Sequence, residues 1–268
     1  MTSVKKTDLT LLLGACVILI SGFLTPSSPT PTEGEHELTA RSEHPLEGAW
    51  ALTHIRGEST HTLNLKMVKL LSGGHFMFAF FNDETQQFFS AGGGRYTYED
   101  GTYTEHIDFH TIDPKLVGRS LTFEAQLEGD IWHHRGTIDA QPMDEKFERI
   151  ETASGASLQG AWEMWRASND DGKLVPPDRN LRTIKILSDT HFQWATYDSR
   201  KGEFLSSGGG SYQMKDGIYT EKIAFFSPDS LRVGNQMSFT CQLNGSQWHH
   251  QEYASRGLPI NEIWRKLP

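Results

Sequence analysis

The chain has 268 residues, a formal net charge of −9, 37% hydrophobic and 22% charged residues, and two cysteines. That size and mix suit two soluble domains, each able to bury its own core. An acidic body without a basic stripe argues against nucleic acid and anionic lipid surfaces as partners. Cys16 lies in an apolar leader, so Cys241 has no disulfide partner and packing alone must hold the fold.

At the N-terminus, Lys5 and Lys6 precede an apolar run from Leu9 to Leu24. A basic start followed by a short apolar stretch is the pattern of a secretory signal, and the run is shorter than the roughly 20 residues that span a bilayer. Residues 1–24 therefore read as a signal peptide or a membrane anchor. Leu13-Gly14-Ala15-Cys16 also fits a lipidation box, although the run continues past the cysteine where a polar tether is expected. The Pro-, Ser-, Thr- and Glu-rich residues 25–45 read as a flexible linker. The body is expected to be secreted or held in the periplasm or cell envelope, touching a membrane only through its N-terminal segment.

From here the chain repeats itself. Gly92-Gly93-Gly94-Arg95-Tyr96, Asp100-Gly101, Tyr103-Thr104-Glu105, Val117-Gly118, Phe123 and Trp132-His133-His134 recur as Gly208-Gly209-Gly210-Ser211-Tyr212, Asp216-Gly217, Tyr219-Thr220-Glu221, Val233-Gly234, Phe239 and Trp248-His249-His250, at a constant offset of 116. A fixed offset over so many positions means one fold unit written twice. The units span 46–150 and 158–268, joined by a linker at 151–157. Each opens with Gly-Ala-Trp (Gly48 to Trp50, Gly160 to Trp162) and closes with an amphipathic strand carrying basic residues, Glu145 to Ile150 and Glu262 to Leu267. In the first unit the pattern predicts strands near 48–56, 62–72, 75–83, 86–98, 102–110, 120–128, 131–138 and 145–150. Turn signals such as Ser72-Gly73-Gly74, Asp100-Gly101, Asp113-Pro114 and Glu128-Gly129-Asp130 separate them. Eight short strands without helical periodicity predict an all-β fold: two tandem antiparallel up-and-down barrels, each closed so that no sheet edge is free. The glycine triplet inside a strand pattern reads as a barrel corner. It opens no helix and has no Lys-Ser/Thr after it, so it does not read as a phosphate loop.

The Gly-x-Trp opening, the meander and the closing basic residue resemble the lipocalin and fatty-acid-binding protein (calycin) superfamily. More narrowly, the chain resembles tandem bacterial secreted lipocalin-like domains of unassigned function. The resemblance implies that the first-strand Trp plugs one barrel end beneath a cation from the last strand. Trp50 with Arg149, and Trp162 with Arg265 or Lys266, would fill those places.

Strand alternation then sorts the candidate site residues. Tyr103, Glu105, Ile107 and Phe109 share a face whose counterparts Tyr219, Glu221, Ile223 and Phe225 are retained, and this face is expected to be the interior. Each barrel then holds an inward carboxylate, costly unless paired or hydrogen-bonded. It either joins a structural network or faces a polar cavity. His75 and His191 enter on the third strand, each sharing a face with an alanine four positions on (Ala79, Ala195). Trp132-His133-His134 and Trp248-His249-His250 offer one inward His per pair. Such a set could anchor an organic ligand, hold zinc through two His and a Glu, carry an axial His for haem, or only satisfy backbone groups. No Cys-x-x-Cys or His-Glu-x-x-His pattern favours a metal, no triad motif is present, and the sequence identifies no catalytic residue and no cofactor. The dense phenylalanines Phe76, Phe78, Phe80, Phe81, Phe88 and Phe89 must place some rings outward, where the two barrels would meet. Three functions remain open. One is a binding module for a small apolar ligand with a polar anchor in each barrel. The others are a barrel enzyme using Glu and His as acid and base, and an interaction protein with filled barrels.

Overall fold

The computed structural model describes residues 45–60, 65–150, 158–253 and 259–268. The signal or anchor at 1–24, most of the 25–45 linker and the linker at 151–157 lie outside the described residues. The first unit contains β1 (Gly48–Ile55), β2 (Glu58–Ser59), β3 (Lys66–Ser72), β4 (His75–Asn82), β5 (Gln87–Glu99), β6 (Thr102–His110), β7 (Ser120–Glu128), β8 (Ile131–Ile138) and β9 (Gln141–Arg149). The second contains β10 (Gly160–Ser168), β11 (Leu174–Val175), β12 (Leu181–Leu187), β13 (His191–Asp198), β14 (Glu203–Lys215), β15 (Ile218–Phe226), β16 (Gln236–Asn244), β17 (Gln247–Tyr253) and β18 (Pro259–Lys266).

Each unit is a meander of eight long antiparallel strands that closes on itself. β1 pairs with β9 through Trp50↔Arg149 and Leu52↔Phe147, and β10 with β18 through Trp162↔Lys266 and Met164↔Trp264. Both expected antiparallel up-and-down barrels are present. The two-residue strands β2 and β11 were not expected; they are short hairpin returns against the ends of β1 and β10. The last strand of the first unit starts at Gln141 rather than Glu145, because Asp139 and Ala140 take positive φ and turn the chain within two residues. Asp100-Gly101 and Asp216-Gly217 turn in the same way, with φ of 47° and 80°, and 51° and 76°.

The glycine triplets act as predicted corners. A Cβ on Gly94 would lie 1.9 Å from the His106 carbonyl oxygen, and one on Gly210 2.0 Å from that of Lys222. This close approach accompanies a bulge: Gly93 pairs with Phe109 but Gly94 with Ile107, leaving Asp108 extra, and Gly209 and Gly210 repeat the slip around Ala224. The bulge corrects the expected face assignment. Tyr103, Glu105 and Ile107 point into barrel 1, but Phe109 points out, and Phe225 does likewise in barrel 2.

Those outward rings belong to a third apolar cluster between the barrels. Ala49, Leu70, Met77, Ala79, Phe81, Ala91 and Phe109 meet Ala161, Ile184, Ile186, Ala195, Tyr197 and Phe225, with Phe88 and Phe204 at its margin. The face is the same on both units. Phe81 stacks on Phe225 at 5.1 Å, and Phe109 on Tyr197 at 5.0 Å. Phe81 and Tyr197 are equivalent positions, as are Phe109 and Phe225, so the contacts exchange partners as they would across a two-fold axis. The outward phenylalanines thus have their expected place. Two asymmetric hydrogen bonds are added: Gln193 Nε2 donates to the Phe78 carbonyl (3.1 Å) and the Tyr197 hydroxyl to Asp108 (3.3 Å). Cys241 is half-buried, and burial raises its thiol pKa to about 11, so it acts as a small packing residue.

Candidate functional site

One end of barrel 1 is sealed. Trp50 is fully buried, donates its indole N–H to the Leu46 carbonyl (2.8 Å) and packs edge-on against Trp132. Arg149 lies 4.1 Å above the Trp50 ring and ties down the entering chain by donating to the carbonyls of Glu47 (2.6 Å) and Pro45 (3.0 Å). In barrel 2 it is Lys266 that sits over Trp162, at 5.6 Å, while Arg265 stacks on the half-exposed Trp165.

Above this plug lies a buried polar network. Lys69, on the inward face of β3 with Met67 and Leu71, donates to Glu105 Oε1 at 2.6 Å, and the Tyr103 hydroxyl donates to the same oxygen at 3.0 Å. Lys69 and Glu105 are 3% and 5% exposed. Rings of Phe76, Tyr103, Trp132 and Phe147 surround the ammonium at 5.2–5.6 Å. Burial, with Glu105 next to it, keeps the Tyr103 phenol well above its ordinary pKa, so it remains a donor. Barrel 2 repeats the arrangement: Lys185 donates to Glu221 Oε1 at 2.5 Å, joined by the Tyr219 hydroxyl at 2.8 Å.

The second part of the network differs between the barrels. His134 Nδ1 is 3.0 Å from Glu145 Oε2. Burial, helped by the Lys69 charge, pushes the His134 imidazole below its usual pKa. Burial works to raise Glu145, but the His134 hydrogen bond and Lys69 outweigh it and hold the carboxyl below its usual range. A neutral imidazole therefore donates from Nδ1 to a carboxylate. In barrel 2, Trp264 replaces Phe147, and its indole N–H bonds Glu262 at 3.0 Å. His250 Nδ1 is left without a hydrogen-bond partner among the described residues. Burial there drives His250 well below its ordinary pKa and raises Glu262.

The other end of barrel 1 opens into a cavity of about 350 Å³. Its deep wall includes Lys69, Glu105, Glu145, Ile107 and Phe123, with Phe78, Phe80, Met67 and Leu121 along the sides. Its rim carries Ile55, Arg56, Asp113, Leu116 and the β8–β9 turn at Ile138 and Asp139. His110, brought inward by the bulge at Asp108, joins the wall and packs edge-on against Phe78 at 5.6 Å; burial lowers its pKa.

Of the residues singled out from sequence, Glu105, Tyr103, Trp132 and His134 are brought together inside barrel 1, and Glu221, Tyr219, Trp248 and His250 inside barrel 2. His133 and His249 are not; each lies on the outer face, opposite to the Trp and His that flank it. His75 and His191 also face out. They share the inter-barrel side of β4 and β13 with Ala79 and Ala195, while Phe76 and Phe192 point in. His75 Nδ1 contacts the Gly73 carbonyl at 2.8 Å and His191 Nδ1 the Thr190 hydroxyl at 2.9 Å. No group of three or more His, Cys, Asp or Glu among the described residues could hold a metal ion. Four residues escaped the sequence reading: Lys69, Lys185, Glu145 and Glu262. The repeat carried the signal, since both lysines recur at the 116 offset inside apolar strands and both glutamates lie four residues before the cation that closes each unit, Arg149 and Lys266.

The family model for the domain of unknown function DUF4488 matches this chain twice, over residues 45–155 and 157–268. The chain belongs to this family. Each DUF4488 unit is thus one closed barrel with its own Lys–Glu–Tyr network. No curated protein matches the chain. Among solved structures, a lipocalin-like protein from Bacteroides uniformis is 18% identical, with 42% of this chain and 100% of that one covered and a TM-score of 0.31. An uncharacterized protein from Bacteroides eggerthii is 14% identical over 41% of this chain and 98% of its own, with a TM-score of 0.30. Transferrin binding protein B from Haemophilus parasuis is 9% identical over 75% of this chain but only 53% of its own, with a TM-score of 0.23.

Proposed function

We propose that the protein binds a small, largely apolar molecule inside barrel 1, with a polar group of that molecule directed at Glu105 and Glu145. The observation that carries this is the cavity. At about 350 Å³ it is the size of small-molecule sites in general, and its walls are apolar and aromatic with a few convergent polar groups at depth. A barrel meant only to be filled would pack this volume, because voids of this size forfeit contacts. The anchor is preorganised: Lys69 and Tyr103 fix the Glu105 carboxylate before any ligand arrives. Barrel 2 carries the same anchor but lines the equivalent space with Trp194 and Phe226, packed edge-on at 5.6 Å.

The test uses N-phenyl-1-naphthylamine, a neutral probe that brightens in apolar cavities, titrated into the full chain and into Leu121→Trp. Leu121 lines the cavity, so the larger ring should block it. One saturable equivalent in the parent, lost in a variant with an unchanged circular dichroism spectrum, is the expected result. Absence of binding in the parent, or equal binding in both, refutes the reading.

A further inference from the structure

We infer that the occupant of the barrel 1 cavity carries a cationic head, of the alkylammonium class. This rests on the binding reading above and concerns the sign of the head group.

The lining is acidic. Glu105, Glu145, Asp113, Asp139 and Asp144 face it against Lys69 and Arg56. Asp139 and Asp144 are engaged by Arg119 and Arg135 on the outer surface, and Arg56 donates to the Pro142 carbonyl at the rim. The two deep carboxylates decide the matter. Both hydrogen bonds to Glu105 fall on Oε1, so Oε2 accepts none among the described residues, although the side chain is only 7% exposed. Glu145 likewise receives His134 on Oε2, which leaves Oε1 without a hydrogen bond among the described residues. Two carboxylate oxygens without a donor among the described residues thus border the cavity, open to a donor from its occupant.

An ammonium head supplies several N–H donors and a positive charge to both. A carboxylate head would instead meet two like charges. It could not turn to Lys69, which is committed to Glu105 and wrapped by four rings. The side walls add Phe78, Phe80 and Phe123, whose ring faces attract cations. Among the described residues, barrel 2 repeats the donor-free oxygens at Glu221 Oε2 and Glu262 Oε1, but there Thr196 replaces Phe80, and Trp194 and Phe226 pack together where barrel 1 has Phe78 and His110.

The experiment is competition against the naphthylamine probe bound to the full chain at pH 7, with decylamine, decanol and decanoate as a tail-matched series. Decylamine is expected to displace the probe at a concentration at least about tenfold below decanol, with decanoate weakest. Glu145→Gln keeps the Lys69–Glu105 pair intact and, with competition corrected for the probe's own affinity in that variant, should cut the amine's advantage over decanol about tenfold. Decanoate competing as well as decylamine, in a protein whose probe binding Leu121→Trp still blocks, overturns the cationic head and leaves the cavity reading standing. An amine advantage undiminished in Glu145→Gln overturns the two-carboxylate site. Failure of the parent to bind the probe removes both proposals together.

Discussion

The two barrels share a fold, a plug and a buried Lys–Glu–Tyr network, yet they differ at the positions that shape the interior. Barrel 1 has Phe78, Phe80, His110 and Phe147 where barrel 2 has Trp194, Thr196, Phe226 and Trp264. Larger rings at three of those places fill space, while Thr196 is smaller than Phe80. The indole of Trp264 also takes the carboxylate that, in barrel 1, holds the histidine. The comparison separates what the fold requires from what a site requires. The Lys–Glu pair is present in both and belongs first to the architecture. The cavity of about 350 Å³ beside donor-free carboxylate oxygens is a feature of barrel 1.

The largest effect should come from breaking what the barrels share. Lys69→Met strands the Glu105 charge and should cost about 3–5 kcal/mol, as removal of one partner of a buried pair does; Lys185→Met should match it. Urea unfolding of Lys69→Met with Glu105→Leu should recover most of the loss, because no lone charge then remains. If the double variant is as unstable as the single, the pair does more than balance charge. Next comes an exchange of interiors. Trp194→Phe with Phe226→His gives barrel 2 the residues of barrel 1; it should cost about 1–3 kcal/mol and add a second equivalent of naphthylamine binding. Stoichiometry unchanged at one would mean that other residues close barrel 2.

Arg149→Lys, which copies the plug of barrel 2 into barrel 1, loses the fork that holds Glu47 and Pro45 and should cost about 1–2 kcal/mol. The smallest expected difference lies in the response to acid. His134 is held below its unfolded pKa, so the unfolded chain takes up its proton first, and stability falls as pH drops through the usual histidine range. Glu145, also depressed, adds to the loss as pH falls through the usual carboxylate range and below it. In barrel 2 Glu262 is raised, so the folded state binds its proton more readily, and acid relieves part of what His250 costs. Protection factors of β9 amides, each taken relative to the intrinsic exchange rate at that pH, should therefore fall between pH 7 and 4.5, and His134→Phe should flatten the upper part of the response. An unchanged response in His134→Phe would refute the role assigned to the imidazole.

The strand count, the closure and the corner glycines were legible in the sequence because each depends on local rules: period-two alternation, Asp-Gly turns and the repeat itself. The inward positions of Glu105 and Tyr103 followed from the same alternation, which also allowed only one inward His in each pair without saying which. Phe109 did not, since a bulge changes phase within one residue and is set by how closely Gly94 approaches His106 across the sheet. His75 and His191 were misjudged as possible inward ligands because an interface between barrels makes the outer face of β4 as apolar as the inner one. Lys69 was overlooked for a related reason. A lysine on a strand ordinarily points to water, and only a carboxylate three strands away in space, from β6, makes its burial tolerable.

The exchanged contacts between the barrels, Phe81 with Phe225 and Phe109 with Tyr197, bear on ancestry. A one-copy forebear bearing this greasy flank would have needed a sister molecule to cover it, in the manner of a homodimer. Joining two such units in one chain makes that meeting permanent and independent of concentration. It also freed the halves to diverge: one copy could stiffen as ballast while the other kept its room. The asymmetric bonds from Gln193 and Tyr197 mark where that divergence has begun to erase the symmetry.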